Sequence, residues 1–214
     1  MSGFSGSPRL LKGVLVGVDK LFPVPSIVVF QYNPDTLTRT ITPKSADGGD
    51  MAEATRLQGP PEEKISAEIE FDATDALEHA QFPAIPLGVN PALAALESLL
   101  YPKAAITIAN LALAAAGMLE IIPPEGPLVV FAWGPGRIVP VKILSLTVTE
   151  EAFDILLNPI RAKVRLEMKV LTYNDLGITS PGGALYMVHH VAKEVLAAIG
   201  SVGNVVASIN VTIG

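Results

Sequence analysis

The stretch Arg161-Ala-Lys-Val-Arg-Leu-Glu-Met-Lys-Val170 decides the fold class. Its odd positions are Arg161, Lys163, Arg165, Glu167 and Lys169, and its even positions are Ala162, Val164, Leu166, Met168 and Val170. A period of two places the charged set on one face of a sheet and the apolar set on the other, whereas a helix would scatter both round its circumference. Before it, Arg137 to Thr149 is rich in Val, Ile, Leu and Thr, a strand composition. Val129 to Tyr173 therefore reads as two long strands, joined by a tight corner at Asn158-Pro159.

Working outward, Glu63 to Phe71 alternates in the same way. Ile65, Ala67, Ile69 and Phe71 face inward; Lys64, Ser66, Glu68 and Glu70 face outward. That acidic outer face is expected to pair with the basic face of Arg161–Lys169, at ~0.2–1 kcal/mol per opposed pair. Leu10 to Val18 reads as a first strand. Ile27–Tyr32 and Leu37–Ile41 read as a hairpin about Asn33-Pro34-Asp35. Arg39 falls on the apolar face of its strand, either snorkelling at a sheet edge or held in an ion pair between subunits. Pro43 to Gly59 is a polar loop, and the Gly/Ser-rich Met1 to Pro8 a flexible start.

The helical signals are fewer. Asp72 to Ala80 is a short helix with Asp72 as its cap. Asn90-Pro91 caps and opens a second, with Leu93, Leu96 and Leu100 on one face and Pro102 as its stop. Lys103 to Ile122 is Ala/Leu/Ile-rich. Its Asn110 and Glu120, and the lack of an aromatic belt, favour a helix packed on the sheet or between subunits over a membrane span. Gly177, Pro181, Gly182 and Gly183 read as a linker to an amphipathic helix, Ala184–Ile199. There Leu185, Val188, Val191, Ala192, Val195, Leu196 and Ile199 form an apolar stripe; His189, His190, Lys193 and Glu194 are expected toward solvent. Gly200 to Gly203 should break the helix, leaving Ser208–Ile213 as a terminal strand.

Composition narrows the chemistry. The 214 residues include no Cys, which excludes disulfides and thiolate chemistry. The net charge of −6 argues against nucleic acid as a partner. Only 17% of residues are charged and the mean hydropathy is +0.45, so subunit interfaces or a membrane must absorb apolar surface. No H-E-x-x-H, G-x-S-x-G or phosphate-binding loop is present. His189 and His190 point ~100° apart on a helix and make a poor metal pair, and Glu150-Glu151 point to opposite sides of a strand. Asp72 and Asp75 suit capping, and Trp133 suits a core or interface anchor. No catalytic, cofactor or metal residue is nominated, and no enzyme activity is expected.

Six segments in order carry a family resemblance: Phe30-Gln-Tyr-Asn-Pro-Asp-Thr-Leu, Leu57-Gln-Gly-Pro-Pro-Glu-Glu, Ile69-Glu-Phe-Asp-Ala, Leu96-Glu-Ser-Leu-Leu-Tyr-Pro, Val130-Phe-Ala-Trp-Gly and Asn158-Pro-Ile-Arg-Ala-Lys-Val. Together they resemble the tube-domain proteins of contractile injection systems, the phage-tail-like particles. The resemblance implies a mainly β fold with helices (α+β), a tail-tube-like β-barrel or two packed antiparallel sheets. The resemblance covers about Pro8 to Asp175, so that 1–175 reads as a tail-tube-like domain with a helical insertion around 90–122; the Gly/Pro linker and the apolar stripe after it mark 176–214 as a C-terminal docking extension. It implies a structural baseplate component in a homohexameric ring that joins the central spike or hub to the inner tube. Sheath or baseplate wedge proteins are further partners. Assembly is expected in the cytoplasm, within a large injection particle, without a signal peptide or stable membrane insertion. Candidate subunit-interface residues are Arg39, Trp133, Arg161, Lys163 and Arg165. Many relatives carry a C-terminal LysM domain; Leu176–Gly214 lacks its Gly-Asp-Thr-Leu-like turn, so glycan binding is not carried over. A membrane pore or anchor resting on Ala104–Ile122, and a cell-wall glycan-binding module resting on the tail, remain alternatives.

Overall fold

A computed structural model describes residues 11–19, 25–44, 57–78, 87–117 and 126–213, with the side chains of 75–76 and 202–213 left out. The starting segment 1–8, most of the loop 43–59 and His79 lie outside these residues. The strands are β1 (Val14–Val18), β2 (Ser26–Val29), β3 (Leu37–Thr42), β4 (Glu62–Asp72), β5 (Leu128–Ala132), β6 (Ile138–Phe153) and β7 (Pro159–Val170). The helices are α1 (Thr74–Glu78), α2 (Asn90–Glu97), α3 (Ala104–Ala115), α4 (Tyr173–Leu176) and α5 (Pro181–Ile213). The protein is mainly β with helices, as its alternations imply. Of the two arrangements expected, the strands form one seven-stranded antiparallel sheet, in the order β2-β1-β5-β6-β7-β4-β3.

The opening alternation holds residue by residue. Ala162, Val164, Leu166, Met168 and Val170 are buried, while Arg161, Lys163, Arg165 and Glu167 are exposed. Ile65, Ala67, Ile69 and Phe71 of β4 are buried beside them. The register opposes Asp72 to Arg161, Glu70 to Lys163 and Glu68 to Arg165, which is the expected charge ladder. Arg161 reaches Asp72 at 2.8 Å and Glu70 at 3.5 Å, and Arg165 reaches Glu68 at 3.7 Å. These pairs are solvated and contribute modestly.

The Val129–Tyr173 stretch holds three strands, because the Gly134-Pro135-Gly136 turn ends β5 before β6 begins. The expected Ile27–Tyr32/Leu37–Ile41 hairpin does not form. β2 pairs with β1, β3 pairs with β4, and the two occupy opposite edges of the sheet. The intervening chain closes the sheet instead. Gln31 donates from Nε2 to the Asp72 carbonyl at 2.6 Å, and its Oε1 accepts from the Asp72 N–H at 2.8 Å. β2 and β4 are five strand steps apart in the order, about 24 Å across a flat sheet at ~4.8 Å per step. A side chain two residues beyond β2 spans that only if the sheet curls. Curling lets Leu15, Val28, Phe30, Phe131, Val141, Val164, Leu166 and Met168 share one core.

α2 docks on this core through Leu93 and Leu96, with Leu99 just after it; Leu100 is exposed. Asn90 is the first residue of α2 and not its cap, which is Val89. The Val89 N–H donates to the Pro159 carbonyl at 2.9 Å, and Gly88, at φ +56°, lies so close that a Cβ would sit 2.2 Å from that oxygen. Only glycine fits there. Asp72 likewise precedes its helix by one residue more than a cap, accepting the Thr74 N–H at 2.8 Å. α3 buries Ile106 and leaves Ile108 and Leu111 exposed among the described residues. Among the described residues no helix is long and apolar enough to cross a membrane.

At the C-terminus, Ser180-Pro181 starts a helix where a linker was expected. The Ser180 hydroxyl accepts the Gly183 N–H at 3.0 Å, with Pro181 at the first helical position. α5 then runs unbroken to Ile213, through Gly200 and Gly203, and no terminal strand forms. Isolated glycines cost a helix ~1 kcal/mol each and do not by themselves end it.

Met168→Asp should prevent or severely impair folding, because an unpaired carboxylate would enter the fully buried face. Lys169→Ser, on the opposite face of the same strand, should change stability by less than about 1 kcal/mol. Thermal melts of both variants check the face assignment.

Candidate functional site: a buried charge cluster and two exposed apolar elements

Strand parity places Glu63 on the inner face of β4, two residues before Ile65, and it is 6% exposed. Arg39 lies on the inner face of edge strand β3. Its guanidinium meets Glu63 Oε1, donating from Nε at 2.7 Å and approaching from Nη2 at 2.6 Å. From α5, Lys193 Nζ donates to Glu63 Oε2 at 2.8 Å. Burial alone would raise the Glu63 pKa, but the hydrogen bonds and charges of Lys193 and Arg39 prevail and hold it below 4.5. His189, one turn before Lys193, is buried, and its Nε2 has no hydrogen-bond partner among the described residues. Burial pushes its pKa below 6.5, as do Lys193, Arg39 and Arg137, with Glu63 opposing. Arg137 is itself pulled down by burial and by Arg39, again against Glu63. Tyr186 joins the hydrophobic core and meets Tyr173 edge-on at 5.9 Å.

α5 is thus turned relative to the expectation, with Glu194 and His190 still reaching solvent. His189 and Lys193 turn inward, while Val188, Val191, Val195, Leu196 and Ile199 are exposed. Glu63 supplies the reason, since a carboxylate in the core requires cations, and α5 delivers one from its polar side.

The second apolar element is the β6–β7 hairpin tip. Asp154 accepts from the Leu156 N–H at 2.7 Å, and from the N–H and Nδ2 of Asn158 at 2.8 Å each. Leu157 takes φ +64°, an uncommon conformation for a residue with a side chain. This braced turn holds Ile155 (99% exposed), Leu156 (70%) and Leu157 (79%) in solvent.

Of the five interface candidates, Arg161, Lys163 and Arg165 share the outer face of β7, while Arg39 and Trp133 lie elsewhere. Arg39 belongs to the Glu63 cluster. Trp133 is half-buried, stacking on Phe131 at 6.1 Å beside Phe30. Arg161 and Arg165 pair with β4, and Lys163 with Glu151 at 3.3 Å. An open groove of about 410 Å³, lined by Tyr32, Asn33, Asp35, Glu68, Glu70 and Lys163 among others, lies beside that ladder. Among the described residues no group of three or more His, Asp or Glu could hold a metal ion. The sequence pattern placed His189 and Lys193 toward solvent, which the structure corrects, and gave Glu63 and the tip no role. Parity in β4 and β3 already placed Glu63 and Arg39 on one face, and Ile155-Leu156-Leu157 is an apolar run inside a turn. Neither a protein-family model nor a curated protein matches the sequence.

Glu63→Gln should destabilise the fold by about 2–4 kcal/mol, less than for a fully buried pair because Lys193 is 39% and Arg39 26% exposed. His189 makes stability pH-dependent in a separate window. Its folded pKa lies below the unfolded 6.5, so the unfolded chain binds more protons and stability falls as pH drops below about 6.5. The Glu63 contribution is lost only as pH falls below its unfolded value of 4.5. Melting temperatures of the His189→Gln variant should therefore be flatter than wild type between about pH 7 and 5.5, with the loss below pH 4.5 retained.

Proposed function

We propose that the chain is a ring-forming structural subunit of a phage-tail-like contractile injection particle, placed at the baseplate where the central spike or hub meets the inner tube. The observation that carries this reading is the braced hairpin tip. Asp154 and a left-handed Leu157 hold three large aliphatic side chains where none of the described residues covers them. Unfavourable backbone and exposed apolar area at one turn are the marks of a contact made in an assembly. The same reading accounts for the low charge fraction, the exposed Ile27 and Val29 of edge strand β2, and the exposed α3. The order of the tube-domain-like segments assigns the kind of assembly.

The double variant Ile155→Asp/Leu156→Asp tests it. Both residues are exposed, so the melting temperature should stay within about 2 °C of wild type, while the variant should fail to co-sediment with injection particles or their tube and hub proteins. Normal incorporation of a folded variant would remove the tip from the account. Particles that assemble fully without the protein would remove the baseplate role.

A further inference from the structure

Charge does not balance around Glu63. Its one carboxylate already meets two cations, Arg39 and Lys193. Arg137 is a third in the same place. The Trp133 N–H donates to the Arg137 carbonyl at 2.7 Å, which carries the β5–β6 pairing one residue past the strand ends. Arg137 therefore shares the parity of the buried Val139 and Val141, and its side chain leaves the inner face of the sheet. It is half-buried, and near enough to Arg39 and Glu63 for both to act on its charge. Among the described residues it makes no ion pair. Three cations thus share one acid, and two positive charges are left in excess. His189 faces the same Glu63, Arg39, Arg137 and Lys193, and its buried Nε2 has no partner. Unpaired charge and an unpaired polar atom at one place are both costly in an interior. Arg39 and Lys193 stay partly exposed, so the cluster opens to solvent at its rim.

We propose that Arg39, Arg137, Lys193 and His189 form a binding site for a tetrahedral oxyanion of charge −2, a phosphate or sulfate group. A dianion cancels the excess charge, where a carboxylate would cancel half of it. Two guanidinium forks and an ammonium suit such a group, with planar donors for its oxygens and a mobile point charge beside them. The donors come from β3, the start of β6 and α5, so a bound anion also clips three parts of the chain together. The assignment stands independently of the injection-particle reading.

Calorimetric titration of the full-length protein with sodium sulfate, at ionic strength held constant with sodium chloride, tests it. Sulfate keeps its double charge where His189 titrates, whereas phosphate gains a proton there. One saturable site is expected. Arg137→Gln should bind at least about tenfold more weakly, through loss of charge-assisted hydrogen bonds. Without sulfate the same variant should melt no lower than wild type, because it removes a charge that has no partner. Arg165→Gln, on the outer ladder, should bind as wild type does. Wild-type affinity should rise at least about threefold between about pH 7.5 and 6, and His189→Gln should abolish the rise, because the anion favours the protonated imidazole. At about pH 8.5 both ions carry two charges, so the tighter of phosphate and sulfate identifies the group, and either order supports the site. No saturable binding of either ion, equal binding by Arg137→Gln, or a lower melting temperature of that variant in sulfate-free buffer overturns the proposal. Acetate binding as tightly as sulfate overturns it in favour of a carboxylate supplied by a partner. A pH-dependent rise that persists in His189→Gln overturns the part given to His189.

Discussion

A carboxylate removed from water must be met by cations, and the placement of Glu63 imposes that requirement on two separate parts of the chain. Arg39 ties edge strand β3 to it, and Lys193 ties α5 to it. Because residues on a helix advance by 100°, fixing Tyr186, His189 and Lys193 inward leaves Val188, Val191 and Val195 no choice but outward. One buried ion therefore sets the rotation of the C-terminal helix and the surface it offers. His189, enclosed beside the cluster with its pKa held down, adds a cost to acidification that the ion pairs alone would not.

What was legible in the sequence follows from locality. Strand parity is a local property, so β4, β7 and the charge ladder between them could be read from single residues. Pairing partners are not local. Residues 27–32 and 37–41 looked like a hairpin because a turn lies between them. The energy lay instead in closing the sheet, where Gln31 finds the backbone of Asp72 and Phe30 enters the core. α5 misled for a related reason. An amphipathic helix is usually assumed to bury its apolar stripe within its own chain, and that assumption fails when a buried acid recruits the polar side. Ser180-Pro181 was a readable helix start masked by the two glycines that follow it. Glu63 was readable too, from its inward parity, once Arg39 was seen to share that face.

The surfaces left uncovered share a character. The hairpin tip, the exposed apolar residues of α5 from Val188 to Ile199, the outward face of α3 and the edge strand β2 are all apolar and sit at different places on one small fold. A monomer gains nothing from exposing them, and a low charge fraction would leave such a monomer prone to association. The outer charge ladder of β4 and β7 keeps another part of the surface wet.

Self-assembly of the full-length chain is the claim on which this account turns, and native mass spectrometry measures it directly. The account predicts one discrete closed species, with six copies as the stoichiometry the tube-domain resemblance implies. A chain that remains monomeric at tens of micromolar, with its fold intact, would contradict it.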